Sequence, residues 1–293
     1  MQVAIASGKG GTGKTTVATN LAATAARDGC AVHLIDCDVE EPNCHLFVSP
    51  EFAGSQSVAV LVPVVDAERC NACGECAAIC QFNALACLPG GVMTFPELCH
   101  SCGGCRLVCP EDAISQGQRK IGVLEDGWAP GLRFTQGCLE VGEAQVPPMI
   151  RRVKAMGTRQ NESTADGAAL TIIDAPPGTS CPAIAAMRGC DYVVLVTEPT
   201  PFGLHDLELA VATVRRLELP FGVVVNREGA GDDRITKFCQ REEIPLLGTI
   251  PDDRRIARAY AAGILAISMV PEMVFIFRNL RSAIMSRVLR GVS

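Results

Sequence analysis

Short apolar runs alternating with stretches of helical periodicity set the pattern of this chain. Residues 2–6 read as a buried strand, 14–28 as a helix and 31–36 as a second strand, which predicts a βαβ unit. The pattern returns at 170–173, 192–196 and 221–225, where β-branched runs are separated by helix-like stretches such as 204–217. Parallel neighbours need right-handed crossovers. The alternation therefore predicts a parallel central sheet flanked by helices, with ligands at the carboxyl ends of the strands.

Between the two halves the pattern breaks into dense cysteine and short turns. That stretch reads as an insertion, so that residues 1–62 and 120–293 form two parts of one α/β domain and 63–119 a small module within it. The 293 residues are enough for both. A composition that is 48% apolar but only 4% aromatic suits parallel strands alternating with helices. The net charge of -6 supplies no overall basic field and no nucleic-acid-binding motif occurs, so nucleic acid is not expected as a partner.

The N-terminus runs into a Gly-rich loop with no basic leader, and no apolar run reaches the ~20 residues needed to cross a bilayer. A cytoplasmic protein is expected. In that compartment thiols stay reduced, so the sixteen cysteines predict metal chemistry in place of a disulfide framework.

Gly8-Lys9-Gly10-Gly11-Thr12-Gly13-Lys14-Thr15 has the P-loop pattern and lies, as that loop must, between a strand and a helix. Its glycines let successive backbone N–H groups face a triphosphate, and the helix N-terminus adds positive potential. Lys14 reaches the β and γ phosphates, and Thr15 holds Mg²⁺. Asp36 and Asp38 follow the second strand, where carboxylates organise magnesium or the attacking water. Asp174 follows the run 170–173 as a Walker B carboxylate does. Aspartate at a strand end is also an ordinary turn former, and it is the P-loop that tips the reading toward catalysis.

With Thr16 after it and a second lysine at its start, this loop resembles the deviant Walker A motif of the MinD, ParA, Mrp and nitrogenase-iron-protein class. The resemblance covers the chain outside the insertion and implies a P-loop NTPase fold binding ATP and Mg²⁺. It implies a dimer, of two copies or with a homologous sister ATPase, across which Lys9 reaches the nucleotide of the other subunit. It also implies that Asp38 is the switch I aspartate needed for hydrolysis and that 174–178 is switch II. Asn226 with Arg227, and Pro251 with Asp252, would hold the adenine.

Cys70, Cys73, Cys76 and Cys80, then Cys99, Cys102, Cys105 and Cys109, repeat one spacing. Thiolates at these spacings wrap a four-iron four-sulfur cubane with three ligands from one run, the fourth cysteine of each run going to the other cluster. Cys70, Cys73, Cys76 and Cys109 are thus expected on one cluster, and Cys99, Cys102, Cys105 and Cys80 on the other. The module resembles bacterial two-cluster ferredoxins, which implies a small α+β ferredoxin-like domain. Gln81 departs from that pattern, since proline follows the second run as Pro110. Zinc is the competing reading of paired Cys-x2-Cys units.

Cys181 lies seven residues after Asp174, an offset similar to that of the switch II cysteine in the nitrogenase iron protein, and Cys138 precedes the Walker B strand. That likeness implies a third cluster bridging two subunits through Cys138 and Cys181; two buried thiols are the alternative. Cys30, Cys37, Cys44, Cys87, Cys190 and Cys239 read as packing thiols, and His33, His45 and His205 form no ligand pair. Residues 271–292 carry Arg278, Arg281, Arg287 and Arg290 among Val274, Phe277, Leu280, Ile284 and Val288. This basic amphipathic helix reads as core packing ahead of a membrane tail, so a membrane is not expected as a partner.

These features predict an ATPase in which the nucleotide state of a dimer governs electron transfer through two clusters to a redox partner protein. The second reading is an iron–sulfur carrier of the Mrp type, its transferable cluster on Cys138 and Cys181. A positioning or partitioning ATPase is the third, and the insertion counts against it.

Overall fold

The computed structural model describes residues 1–162 and 170–291, without the side chains of 158–162 and 290–291. Its strands are β1 (Gln2–Ala6), β2 (Val32–Asp36), β3 (Glu51–Val65), β4 (Leu85–Leu88), β5 (Gly91–Thr94) and β6 (Ile114–Ala129). They continue with β7 (Leu132–Leu139), β8 (Leu170–Asp174), β9 (Tyr192–Thr197), β10 (Phe221–Glu228) and β11 (Leu246–Pro251). Two compact units emerge. One comprises residues 1–55, 124–138 and 150–293, the other 56–123 and 139–149.

Among the described residues the strands form a sheet of order β11-β10-β9-β1-β8-β2-β7-β6-β3, of which the larger unit holds β11 to β7 and parts of β6 and β3. From β11 to β7 every neighbouring pair is parallel. The central strands are buried through their length, which is why they read as continuous apolar runs without alternation. The sheet is nevertheless mixed, which corrects the expectation of an all-parallel one. Only two residues connect β6 to β7, a link that permits antiparallel neighbours and no crossover. Exposed polar positions alternate along β6 and conceal it as a strand.

Register matters more to function than strand count. Parallel pairing sets Ile5 against Asp174, and Asp36 against both Asp174 and Gln136. Two carboxylates distant in sequence thereby meet at the carboxyl edge of the sheet, beside the loop that leaves β1.

Helix Lys14–Arg27 buries Val17, Ala18, Leu21, Ala22 and Ala25 in the core that covers one face of this sheet. Helix Met273–Gly291 adds Met273, Phe277, Leu280 and Ile284, a single stripe at helical spacing, each side chain stabilising by about 1.5–3 kcal/mol on burial. Arg278 and Arg281 of the same helix bond Asp28 at 3.0 and 2.9 Å. Its apolar face therefore belongs to the core, as core packing requires. The Arg290 side chain and residue 292 of that expected segment lie outside the described residues. No helix among the described residues is long and apolar enough to cross a membrane.

The smaller unit contains the antiparallel β4–β5 hairpin, the short helices Glu75–Ile79 and Gly104–Leu107, and a modest core of Val62, Cys76, Ala84, Leu85, Cys99 and Ile114. Its two cysteine runs follow one backbone path. Ala72 and Gly74 in the first have φ of 56° and 82°, and Ser101 and Gly103 in the second 58° and 75°. Left-handed backbone at a residue other than glycine costs roughly 1–2 kcal/mol, so its repetition at Ala72 and Ser101 marks a loop shape that both runs need.

Candidate nucleotide and metal sites

The loop leaving β1 is shaped by close approach. Gly13 has φ 94° and packs against Asn226, whose Nδ2 donates to the Thr12 carbonyl at 2.8 Å; a side chain at Gly13 would fill the space of that amide. Gly8 lies against the Asp206 backbone with no room for a Cβ. Beside this loop is a cavity of about 480 Å³, within the range of small-molecule sites. Gly10, Gly11, Gly13, Lys14, Thr15 and Thr16 form its floor, Asp38 one wall, and Asn226, Arg227, Pro251 and Asp252 another. Gly8, Lys9 and Thr12 stand outside the wall, Lys9 half-buried. Glu41, Asn43, Pro177, Asp253 and Tyr260 also line it, and no spacing in the chain signals them.

The three aspartates do different work. Asp174 is buried; its Oδ2 accepts from Thr15 Oγ1 at 2.7 Å and from Cys44 Sγ at 3.4 Å, while Oδ1 has no partner among the described residues. Asp36 is wholly buried and lies off the cavity. Its two oxygens accept from the N–H groups of Asp38, Asn43 and Cys44, each at 3.0 Å, so it folds the loop 37–44. Asp38, at the start of that loop, faces the cavity.

Electrostatics follow from this crowding. Burial, then the Asp36 charge, push Asp174 up to about 7 and Asp38 up to about 6. Asp36 is itself raised by burial. Burial lowers Lys14, against the pull of Asp174, Asp38 and Asp36. A buried acidic cluster with an orphan oxygen and an adjacent hydroxyl suits a hard divalent cation, so the residues present fit Mg²⁺.

A pH dependence results. With nucleotide and magnesium absent, folded Asp174 and Asp38 hold protons that the unfolded chain releases above its value of 3.8, so the stability these two groups contribute is greatest at the acid end and is lost as pH rises toward about 6 to 7. Urea unfolding of nucleotide-free protein in chelator is expected to show this loss between pH 4.5 and 7.5, about 1–3 kcal/mol of it missing in Asp174→Asn. Equal slopes for the two proteins would refute the assignment.

In the smaller unit, one cavity is lined by Cys80, Cys99, Cys102 and Cys105 and a second by Cys70, Cys73, Cys76 and Cys109. Each thus gathers three thiols of one run and the last thiol of the other. Backbone N–H groups of Ala84 and Ala113 donate to the sulfurs of Cys80 and Cys109, both at 3.3 Å, and that of Ser101 to Cys99 at 3.4 Å. Burial raises the Cys76 and Cys105 thiols. Among the described residues, the only set of three ligating groups whose atoms all lie within 4.8 Å of one another is Asp36, Cys44 and Asp174.

Cys138 and Cys181 are both exposed, Cys138 at the carboxyl end of β7 and Cys181 at the start of the short helix Cys181–Met187. Cys37, Cys190 and Cys239 are buried as packing thiols are, and His33 is a core histidine bonded to Thr135 at 2.8 Å. Two cysteines depart from the packing expectation. Cys87 is exposed and donates to the Ala72 carbonyl at 3.3 Å, and Cys44 joins the aspartates.

The profile of the CobQ/CobB/MinD/ParA nucleotide binding domain matches residues 3–266. An uncharacterised protein of Methanocaldococcus jannaschii is 33% identical over 229 residues, covering 78% of this chain and 79% of its own. A protein named iron–sulfur cluster carrier protein from Pyrococcus horikoshii is 26% identical, covering 90% of this chain and 78% of its own. One of the same name from Deinococcus radiodurans is 29% identical, with 93% and 65% covered. The cell division ATPase MinD of Pyrococcus furiosus superposes with a TM-score of 0.59 at 22% identity, over 97% of this chain and 98% of that one, a likeness of fold.

Proposed function

Because the chain belongs to the CobQ/CobB/MinD/ParA nucleotide-binding family and is a P-loop ATPase, we propose that it uses ATP to control the handling of iron–sulfur clusters. The observation that carries this reading is the sorting of eight thiols into two cavities of four, in a chain that also holds the nucleotide cavity. The insertion over 63–119 is read as a two-cluster module. Cys70, Cys73, Cys76 and Cys109 would hold one [4Fe-4S] cluster and Cys80, Cys99, Cys102 and Cys105 the other. So small an apolar core supports this, since modules of that size commonly depend on metal for stability. Bound clusters supply one-electron chemistry.

In ATP hydrolysis, the N–H groups of 10–14 and the Lys14 ammonium would neutralise the phosphates, and Thr15 with Asp174 would hold magnesium. Asp38 would orient the attacking water. Lys9, outside the cavity wall, would serve the nucleotide of a second subunit in a dimer.

Similarity to proteins named as cluster carriers over about nine-tenths of this chain supports transfer of a cluster as cargo. The cargo would sit on the exposed Cys138 and Cys181 of two subunits, four thiols in all. A second reading, electron transfer from the two clusters to a redox partner protein, is favoured by the gathering of four thiols around each cavity, since a cluster with all four ligands from one chain is poorly suited to release.

Anaerobically reconstituted protein tests the choice. Carrier function predicts transfer of iron and sulfide to an apo-ferredoxin, reduced at least about 10-fold in Cys181→Ser while the iron of the two enclosed clusters stays. Equal transfer by the variant would sink the carrier reading. Electron transfer predicts instead that ATP changes the rate at which the clusters reduce an acceptor, in wild type and variant alike.

A further inference from the structure

One residue of the loop 37–44 touches both buried carboxylates. The Cys44 backbone N–H donates to Asp36 Oδ2 at 3.0 Å and its thiol to Asp174 Oδ2 at 3.4 Å, with no exposure to solvent. Burial, with both carboxylates alongside, keeps this sulfur protonated, so it acts as a donor and not as a thiolate.

Asp174 Oδ2 therefore has two donors from two elements: Thr15 at the start of the helix that follows the phosphate loop, and Cys44 at the end of the loop that begins beyond Asp36. A carboxylate held at one oxygen by two such donors keeps one rotamer; its second oxygen is buried without a partner among the described residues, and Thr15, the donor it shares with the cavity floor, links its position to the site. Cys44 also spans the gap between the two carboxylates, its N–H on Asp36 and its thiol on Asp174.

The geometry points to Cys44 as a positioning residue for ATP hydrolysis: its thiol holds the Asp174 rotamer and ties it to the shape of the loop that presents Asp38. This rests on the ATPase activity alone and is independent of the iron–sulfur reading. A thiol that only filled space would be replaced well by valine and poorly by serine. A thiol that acts as a donor reverses that order.

The test compares Cys44→Ser and Cys44→Val in the whole chain as purified anaerobically, with Mg·ATP. Cys44→Val is expected to lose about 10- to 100-fold in kcat with KM for ATP within about threefold, and Cys44→Ser to stay within about threefold of wild type in both. Thermal unfolding should rank the valine variant at or above the serine one, which separates the two effects. A valine variant with wild-type kcat, or a loss confined to KM, overturns the inference. Should Cys44→Val fail to fold, the infrared S–H stretch of the wild type decides: a hydrogen-bonded thiol band, missing in Cys44→Ser, is expected to shift on adding Mg·ADP, and a band indifferent to nucleotide overturns it. Wild-type protein without hydrolysis would refute the ATPase premise itself, which the variants cannot mimic.

Discussion

Replacing Lys14 by alanine is expected to lower the rate of ATP hydrolysis by about 1,000-fold or more, the larger of the two strongest effects to be tested. The ammonium is buried in the floor of the nucleotide cavity and lies in the field of Asp174, Asp38 and Asp36. Charge that develops on a transferring phosphoryl group would meet this ammonium at a position fixed by the loop. Each 1.36 kcal/mol lost there is about tenfold in rate. Removing the lysine also leaves three carboxylates facing one another without a countercharge, so the variant should be less stable at pH 8 than at pH 5.5, where Asp174 can take up a proton. Phosphate release assays on the cluster-loaded protein check the first point. Residual activity above about a tenth of wild type would show that Lys14 does not face the reacting phosphate.

Cysteine substitutions are expected to act by cavity and not by run. Cys73→Ala and Cys109→Ala should remove the same spin-resonance signal, although they belong to different runs, and Cys102→Ala and Cys80→Ala should remove the other. Iron in anaerobically prepared protein should fall from about eight atoms per chain to about four in each variant. Loss of one signal by Cys73→Ala and Cys80→Ala together would mean that each run closes on its own metal. Zinc in place of iron would end the iron–sulfur reading altogether.

Parts of this chemistry are legible in the chain because they are local. A P-loop needs its glycines, lysine and threonine at consecutive positions, and Gly10, Gly11, Gly13, Lys14, Thr15 and Thr16 line the cavity. Element boundaries follow as well: strand Gln2–Ala6 and helix Lys14–Arg27 lie where apolar continuity and helical periodicity put them, since burial on both faces of a parallel strand leaves no polar position to interrupt the run. Asp36 shows the limit. As a residue type after a strand it is indistinguishable from Asp38, yet three backbone N–H groups claim its oxygens and only Asp38 reaches the cavity.

The chain alone, then, determined the class of fold, the nucleotide loop and the two repeated cysteine runs, because each is encoded in residues a few positions apart. Tertiary structure decided the mixed edge of the sheet, the arrival of Tyr260 and Asp253 at the nucleotide cavity, and the contact between Cys44 and Asp174. Those last two residues are 130 positions apart, and what brings them together is the register of β2 on β8. Register is set by the burial of whole strands, a collective property that no short stretch of sequence carries.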